Sequence, residues 1–215
     1  MFRKLDLDQG TEIWKTWRGS VITATAASII MGLNPYANSE EHSAIYLLWA
    51  EKVGLLKKEF VENEAMAHGS RTEETARKAF TDATGIAMEP VCVVNSEYPF
   101  MAASLDGINE KYKIGLEIKC PLYYASFRKH KEEGLPDYYY SQVQHQLLVT
   151  GYSNWAFWSY YQNSDTLHIV KSDINFQTEL LKRCKNLNKF IDLKVPPDES
   201  LFSKYDVSQI LESYR

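Results

Sequence analysis

Residues 100–121, FMAASLDGINEKYKIGLEIKCP, carry the pattern from which the rest of the chain can be placed. Phe100–Leu105 has the short alternation of a strand, and Asp106-Gly107 with the polar residues after it has the chemistry of a tight turn. Lys113–Lys119 resembles a returning strand and ends before Pro121, which has no N–H to donate to a ladder. The stretch therefore predicts an antiparallel hairpin that turns at Asp106.

Further helices and strands are predicted on both sides of this hairpin from the spacing of apolar residues. Upstream we expect helices over Ala26–Met31, over Glu40–Val53 with Ser39 as its cap, and over Asn63–Thr84, then a strand over Met88–Val94. Downstream we expect helices over Tyr123–Glu133 and Asp137–Thr150, strands over Asn154–Tyr161 and Thr166–Lys171, a helix over Phe176–Leu193 and a short helix near Val207–Ser213. This order predicts an α/β fold with a central mixed sheet flanked by helices and an α-rich N-terminus. We expect one domain over residues 1–195 and a C-terminal tail over residues 196–215.

The composition is that of a globular domain. Of the 215 residues, 45% are apolar, 24% charged and 13% aromatic, which is enough for a sizeable core. The net charge of −4 excludes a broadly basic, histone-like surface, but it leaves nucleic acid possible because local clusters of cations decide such binding. Two basic stretches are either solvated faces or phosphate-contacting stripes: Arg128, Lys129 and Lys131, and Lys182, Arg183, Lys185, Lys189 and Lys194.

Three widely spaced cysteines, Cys92, Cys120 and Cys184, predict no disulfide framework and no zinc cluster. Residues 1–10 do not form the apolar core of a signal peptide, and no apolar run is long enough to cross a membrane. We therefore expect a soluble cytoplasmic protein without a membrane partner.

Two carboxylates and a lysine on the hairpin form the candidate site. Period-two alternation places Glu117 and Lys119 on one face of their strand, and antiparallel pairing brings Asp106 near Glu117. Paired carboxylates are typical ligands of Mg²⁺, and a nearby amine can orient or activate water. A structural ion pair between Lys119 and the carboxylates is the alternative explanation.

Two flanking features favour a functional site. Glu73 lies on the long helix that precedes the sheet, and Gln142 lies on the helix that follows the lysine strand. Gln146 is one turn from Gln142, and such a polar stripe is expected to face a ligand or solvent rather than a core.

With these motifs the chain resembles the lambda-exonuclease or YqaJ-type viral recombinase nucleases, within the PD-(D/E)XK superfamily. The matching stretches occur in the family's order and span roughly residues 14–160. They are Trp17-Arg18 with Val21–Thr25, Gly69 with Glu73 and Ala76, Ser104-Leu105-Asp106-Gly107, Gly115–Pro121, and Gln142-Val143-Gln144. The resemblance implies a restriction-endonuclease-like core.

The resemblance also implies a metal site. By position, Asp106, Glu117 and the carbonyl of Ile118 would ligate one or two ions of Mg²⁺, with Mn²⁺ as a substitute. Glu73 would complete the site from its helix, partly through water. Lys119 would position or deprotonate the attacking water.

Three further positions carry implied roles in binding DNA. Gln142 would orient the attacking water or bind the scissile phosphate, and Arg18 with Thr25 would anchor a terminal 5′-phosphate. Thr25 stands where a well-known relative has serine, which keeps the hydroxyl. Leu105 replaces the superfamily's proline, at a position that often varies.

The implied activity is a Mg²⁺-dependent 5′→3′ exonuclease that acts on the ends of double-stranded DNA. It would leave a 3′ single strand for recombination with a single-strand annealing protein, and it would assemble as a homo-oligomer, a trimeric ring in the family. A phage, a prophage or a larger virus would encode it, with the host nucleus as the alternative compartment if that virus infects a eukaryote. Two alternatives remain at this point: an endonuclease of restriction or repair type, and a non-catalytic subunit that binds DNA ends.

Overall fold

A mixed sheet of seven strands organises the computed structural model, which describes residues 2–34, 42–56 and 63–214. Its order is β1-β3-β4-β5-β6-β7, with β2 paired to β4. Neighbouring strands are antiparallel except for the parallel pairs β2–β4 and β5–β6. The strands are β1 (Phe2–Leu5), β2 (Ile22–Thr23), β3 (Glu89–Asn95), β4 (Met101–Asn109), β5 (Ile114–Lys119), β6 (Asn154–Tyr161) and β7 (Ser164–Lys171).

Helices connect and cover these strands. They are α1 (Glu12–Ser20), α2 (Ala27–Ile30), α3 (Ala44–Lys52), α4 (Glu64–Thr84), α5 (Tyr124–Glu132), α6 (Asp137–Thr150), α7 (Ile174–Leu193) and α8 (Ser208–Leu211), with 3₁₀ turns over Ala24–Ala26, Glu199–Phe202 and Glu212–Tyr214. Local caps set several of the ends. The Asn63 side chain accepts the Met66 N–H at 2.9 Å, and Gly85 and Gly151 end α4 and α6 in the left-handed conformation.

Apolar side chains fill both faces of the sheet. On one face, Val143 and Leu147 of α6 are buried in the same cluster as Leu180 of α7. On the other, Phe80 of α4 packs edge-on against Trp158 of β6 at 5.4 Å. The prediction of an α/β fold with helices on both sides of a mixed sheet is therefore confirmed.

The predicted hairpin forms, but its turn lies later than expected. Asp106-Gly107 is inside β4, and the chain turns after Asn109, whose side chain accepts the Tyr112 N–H at 3.1 Å. Lys113 adopts a positive φ of 50° there. The prediction that the turn begins at Asp106 is wrong, because residues with turn propensity are tolerated in a strand when a neighbouring strand supplies their partners.

The N-terminal region holds strands that we did not predict. β1 pairs with β3, and the two-residue β2 pairs with β4. The helix expected from Glu40 begins at Ala44, where the Ser43 hydroxyl accepts the Tyr46 N–H at 3.2 Å. Ser39, the cap we expected, lies outside the described residues.

The last described residues pack against the domain. Phe202 and Val207 are buried, the Tyr205 N–H donates to the Met31 carbonyl at 3.0 Å, and Arg183 donates to the Ser203 carbonyl at 2.6 Å. The division at residue 195 stays a prediction. Among the described residues, none of the helices has the length and apolar character needed to span a bilayer.

Candidate active site

The site is centred on a fork between β4 and β5. The two strands pair at Asn109–Ile114, Ile108–Gly115 and Gly107–Leu116, and the ladder ends there. One residue further, Asp106 uses its carboxylate in place of a backbone carbonyl and accepts the Ile118 N–H at 2.7 Å. The fork therefore presents Asp106 and the end of β5 together at one edge of the sheet.

Glu117 makes most of the polar contacts at the fork. It is 2% exposed, and its Oε1 lies 2.6 Å from the Lys119 Nζ and accepts a hydrogen bond from Gln142 at 2.7 Å. Its Oε2 accepts a hydrogen bond from Gln146 at 2.5 Å. The structure thus brings Glu117, Lys119 and Gln142 together, as the sequence predicted. Gln146, predicted only as part of a polar stripe, is a direct partner of the carboxylate.

Glu73 reaches the same region from α4, on the other side of the sheet. Its carboxylate is paired with the guanidinium of Arg77, which also donates from Nε to the Asp106 carbonyl at 2.6 Å. Arg77 was not predicted as part of the site. The signal was present, because a glutamate and an arginine four residues apart face each other on a helix.

Burial and mutual repulsion shape the acidity of this cluster. Burial raises the pKa of Asp106 well above its ordinary value, and the charges of Glu117 and Glu73 raise it further. Burial also raises the pKa of Glu73, against the attraction of Arg77. Burial alone would lower the pKa of Lys119, but the attraction of Glu117, Tyr139 and Asp106 outweighs it and the pKa is raised. The Lys119 ammonium also lies 4.6 Å from the centroid of the Tyr139 ring.

These donors fit a hard divalent cation by their chemistry. Three carboxylates and the Ile118 carbonyl are oxygen ligands of the kind Mg²⁺ prefers. Burial, together with repulsion between the carboxylates, raises the pKa values of Asp106 and Glu73, and a bound cation would oppose both effects. In the part of the chain that the structure describes, no three histidine, cysteine or acidic side chains already stand in a metal-binding arrangement. Lysine and glutamine contacts hold Glu117 instead.

A second group of polar side chains lies beside the fork. The Arg18 guanidinium donates to the Thr25 hydroxyl at 3.3 Å, and it stacks on the Trp14 ring at 4.5 Å. The Trp14 indole N–H donates to the Ser104 hydroxyl of β4 at 2.8 Å. Burial lowers the pKa of Arg18, although negative charges that include Glu117 act against it. Arg18 and Thr25 are therefore together, within electrostatic reach of the carboxylates.

Trp14 and Lys52 were not predicted as parts of this group. Lys52 donates from Nζ to the Arg18 carbonyl at 2.7 Å and so fixes the end of α1 against α3. Nothing in the sequence marks this contact, because it joins helices that are separate along the chain. Trp14 could have been found, since it stands one helical turn before Arg18.

The model of the YqaJ-like viral recombinase domain matches residues 13–153, a range that contains every group described above. The chain belongs to this family. Over 140 residues it is 31% identical to the uncharacterized protein YqaJ of Bacillus subtilis, an alignment that covers 64% of this chain and 42% of the relative. Over 156 residues it is also 31% identical to an uncharacterized protein of Acanthamoeba polyphaga mimivirus, covering 66% and 27%. The matched region is thus less than half of either relative.

Solved exonuclease structures share the fold of this family member. An alkaline exonuclease from Laribacter hongkongensis superposes with a TM-score of 0.71 at 22% identity, covering 86% of this chain and 94% of that one. A phage-related exonuclease from Haemophilus somnus superposes with a TM-score of 0.61 at 15% identity, covering 81% and 94%. The similarity confirms the predicted fold class.

Proposed function

We propose that this protein is a metal-dependent deoxyribonuclease that degrades one strand of linear duplex DNA from a 5′-phosphorylated end. The product would be a 3′ single strand suited to recombination by annealing. Membership of the viral recombinase family and a fold shared with exonucleases support a nuclease of the lambda-exonuclease type. The Laribacter enzyme has also been crystallised with dAMP.

One observation carries the proposal: the convergence of Glu117, Lys119 and Gln142 at the fork where Asp106 leaves the β4–β5 ladder. A purely structural ion pair would not require two glutamine amides on the same buried carboxylate, nor a second, repelling carboxylate beside it. Such an arrangement is costly for folding, and a cost of this kind is expected where function demands it.

The chemistry of phosphodiester hydrolysis matches these groups. The reaction passes through a state with additional negative charge, and Mg²⁺ or Mn²⁺, when bound, stabilises that charge and makes water more acidic. Asp106, Glu117, Glu73 and the Ile118 carbonyl would hold one or two such ions. Lys119 adds a cation beside the nucleophile and would orient the attacking water. Gln142, freed from Glu117, has an amide that can donate to the scissile phosphate.

The preference for a 5′ end is assigned to Arg18 and Thr25. A guanidinium and a hydroxyl that already contact each other can both donate to a terminal phosphate. Their position beside the carboxylates would set the scissile bond a short distance from the end. The Trp14 ring holds the guanidinium in place, because a cation stacked on an aromatic face loses mobility.

The test is a time course with Mg²⁺ on end-labelled linear duplex, with and without a 5′-phosphate, and on closed circular duplex. We expect loss of label from the 5′ end, faster on phosphorylated ends, and an intact circle. Arg18→Ala should lower the rate on phosphorylated ends about tenfold or more and leave the rate on 5′-hydroxyl ends nearly unchanged, because it removes one charge-assisted phosphate contact. Equal cutting of circle and linear duplex would favour an endonuclease. No cutting with either Mg²⁺ or Mn²⁺ would favour a non-catalytic subunit that binds DNA ends.

Two further parts of the proposal rest on the resemblance alone. We propose that the protein forms a homo-oligomer, which in the family is a trimer. We also propose that a single-strand annealing protein binds the 3′ single strand that it produces. Analytical ultracentrifugation tests the first part. Protection of the 3′ strand by a co-purified annealing protein tests the second.

A further inference from the structure

Two adjacent tyrosines at the start of α5 have rings that face solvent near the candidate active site. Tyr123 is 65% exposed and Tyr124 is 57% exposed. They follow Lys119, the last residue of β5, by only four and five positions. The extended length of that connection limits the Cα of Tyr124 to about 17 Å from the Cα of Lys119. Both tyrosines therefore lie just beyond the end of the strand that carries Glu117 and Lys119.

The ring of Tyr124 packs against two other aromatic rings. Its centroid is 5.8 Å from that of Tyr161 and 6.1 Å from that of the buried Phe127, and those two rings stack on each other at 5.9 Å. Tyr161 ends β6, two residues beyond Ser159, which is the register partner of Lys119. The parallel pairing of β5 and β6 therefore puts this ring cluster at the same edge of the sheet as the lysine. A ring held in this way loses little freedom when it binds a ligand.

Two positively charged side chains lie C-terminal to Tyr124 on α5. Arg128 and Lys131 stand four and seven residues after Tyr124, so the three share one face of the helix, and both are exposed. Arg128 is paired only loosely, at 3.5 Å, with Glu132, and both side chains are more than half exposed. An exposed pair of this kind gives way readily to a stronger anion. In a chain of net charge −4, this face combines aromatic surface with positive charge.

We infer that Tyr123 and Tyr124 form a stacking platform for unpaired bases of DNA, with Arg128 and Lys131 contacting the phosphates of the same strand. This deepens the proposed function and rests on it. A base of any identity presents a face on which a tyrosine can stack, whereas a duplex hides its internal base faces. Binding of duplex DNA through its phosphates alone would involve Arg128 and Lys131, but it would give the two tyrosine rings no contact with the DNA. The chemistry therefore favours single-stranded DNA, the kind of strand that the proposed reaction leaves behind.

The experiment compares binding of a single-stranded oligonucleotide with binding of a blunt duplex of equal length, by fluorescence anisotropy. EDTA is present, so that no strand is cut. The variants are Tyr123→Ala/Tyr124→Ala and Tyr123→Phe/Tyr124→Phe, which keeps the rings. The matched control is Tyr112→Ala, because Tyr112 is 56% exposed and has the Lys111 ammonium 5.2 Å from its ring centroid, but lies in the turn at the opposite end of β5.

We expect the alanine pair to weaken single-strand binding about tenfold or more, as loss of base stacking predicts, and to change duplex binding less than about twofold. The phenylalanine pair and Tyr112→Ala should bind like the wild type. Single-strand binding unchanged in the alanine pair, or reduced no more than duplex binding, would overturn the inference. Arg128→Ala/Lys131→Ala supplies a second measurement that leaves the rings in place: it should reduce the slope of log affinity against log salt by about 1.4 for the single strand.

The cleavage assay separates this inference from the proposed function. If the wild type degrades end-labelled duplex and the alanine pair binds single strands normally, the inferred stacking platform is wrong and the proposed nuclease activity is supported. If the wild type cuts no DNA but its single-strand binding depends on the two tyrosine rings, the proposed nuclease activity is wrong and the stacking platform is supported.

Discussion

Replacing Lys119 by methionine should destabilise the metal-free protein by about 3 kcal/mol. Its ammonium lies 2.6 Å from a carboxylate that is 2% exposed, and the Lys119 side chain itself is 23% exposed. At an effective dielectric constant of about 20, such a pair attracts by roughly 6 kcal/mol before the cost of desolvation. Removing one partner of a buried pair costs about 3–5 kcal/mol in measured cases. Gln142 and Gln146 still donate to Glu117 in the variant, which favours the lower end of that range.

Urea unfolding at pH 7 with EDTA, followed by tryptophan fluorescence, measures this loss. The matched control is Lys78→Met, because Lys78 also lies 2.6 Å from its partner, Asp82, but the two side chains are 75% and 64% exposed. That variant should lose no more than about 0.5 kcal/mol. Glu117→Gln/Lys119→Met should recover most of the stability, since it leaves no buried charge at position 117 without its ionic partner. The reasoning is refuted if Lys119→Met is as stable as the wild type, or if the double variant is no more stable than the single one.

Two further predictions concern the core. Burial lowers the pKa of His145 to about 4, from 6.5 in an exposed histidine, so the unfolded chain takes up the proton first as the pH falls. The linked stability is complete above about pH 6.5 and disappears toward pH 4, with about 1.8 kcal/mol lost between pH 7 and pH 5. His145→Gln, which keeps a donor for the Ala102 carbonyl, should remove that part of the pH dependence in urea titrations, and an unchanged pH profile would contradict this account. Gly115→Ala would place a Cβ 2.1 Å from the buried Trp155 ring and should cost about 3 kcal/mol or more, whereas Gly69→Ala, which meets open space, should cost nothing in the same denaturation experiment.

The bounds of helices and strands were predicted well where the local sequence carries a strong pattern. The helix over Asp137–Thr150 and the strand over Asn154–Tyr161 have the bounds that the sequence predicted. The long helix, predicted over Asn63–Thr84, spans Glu64–Thr84, because the Asn63 side chain caps its start and a left-handed Gly85 ends it within one turn of the chain. Alternation along β5 likewise placed Glu117 and Lys119 on one face.

The errors have a common cause in long-range pairing. Asp106-Gly107 has the composition of a turn, yet it lies in β4 because Ile118 offers its N–H to the Asp106 carboxylate where the two strands separate. β1 was not predicted because four residues carry little pattern of their own, and it exists through its ladder to β3. In both cases the deciding partner lies elsewhere in the chain.

The sequence by itself determined the order of helices and strands from α2 onward, the faces on which acidic and basic side chains stand, and the family to which the chain belongs. Each of these depends on residue types at short or ordered spacings. Only the tertiary structure decided that Glu117 is buried under Gln146, that Arg77 joins Glu73 to the backbone of Asp106, and that two tyrosines beside the site remain exposed. Burial and the pairing of distant elements follow from how the whole chain packs, and no local pattern records them.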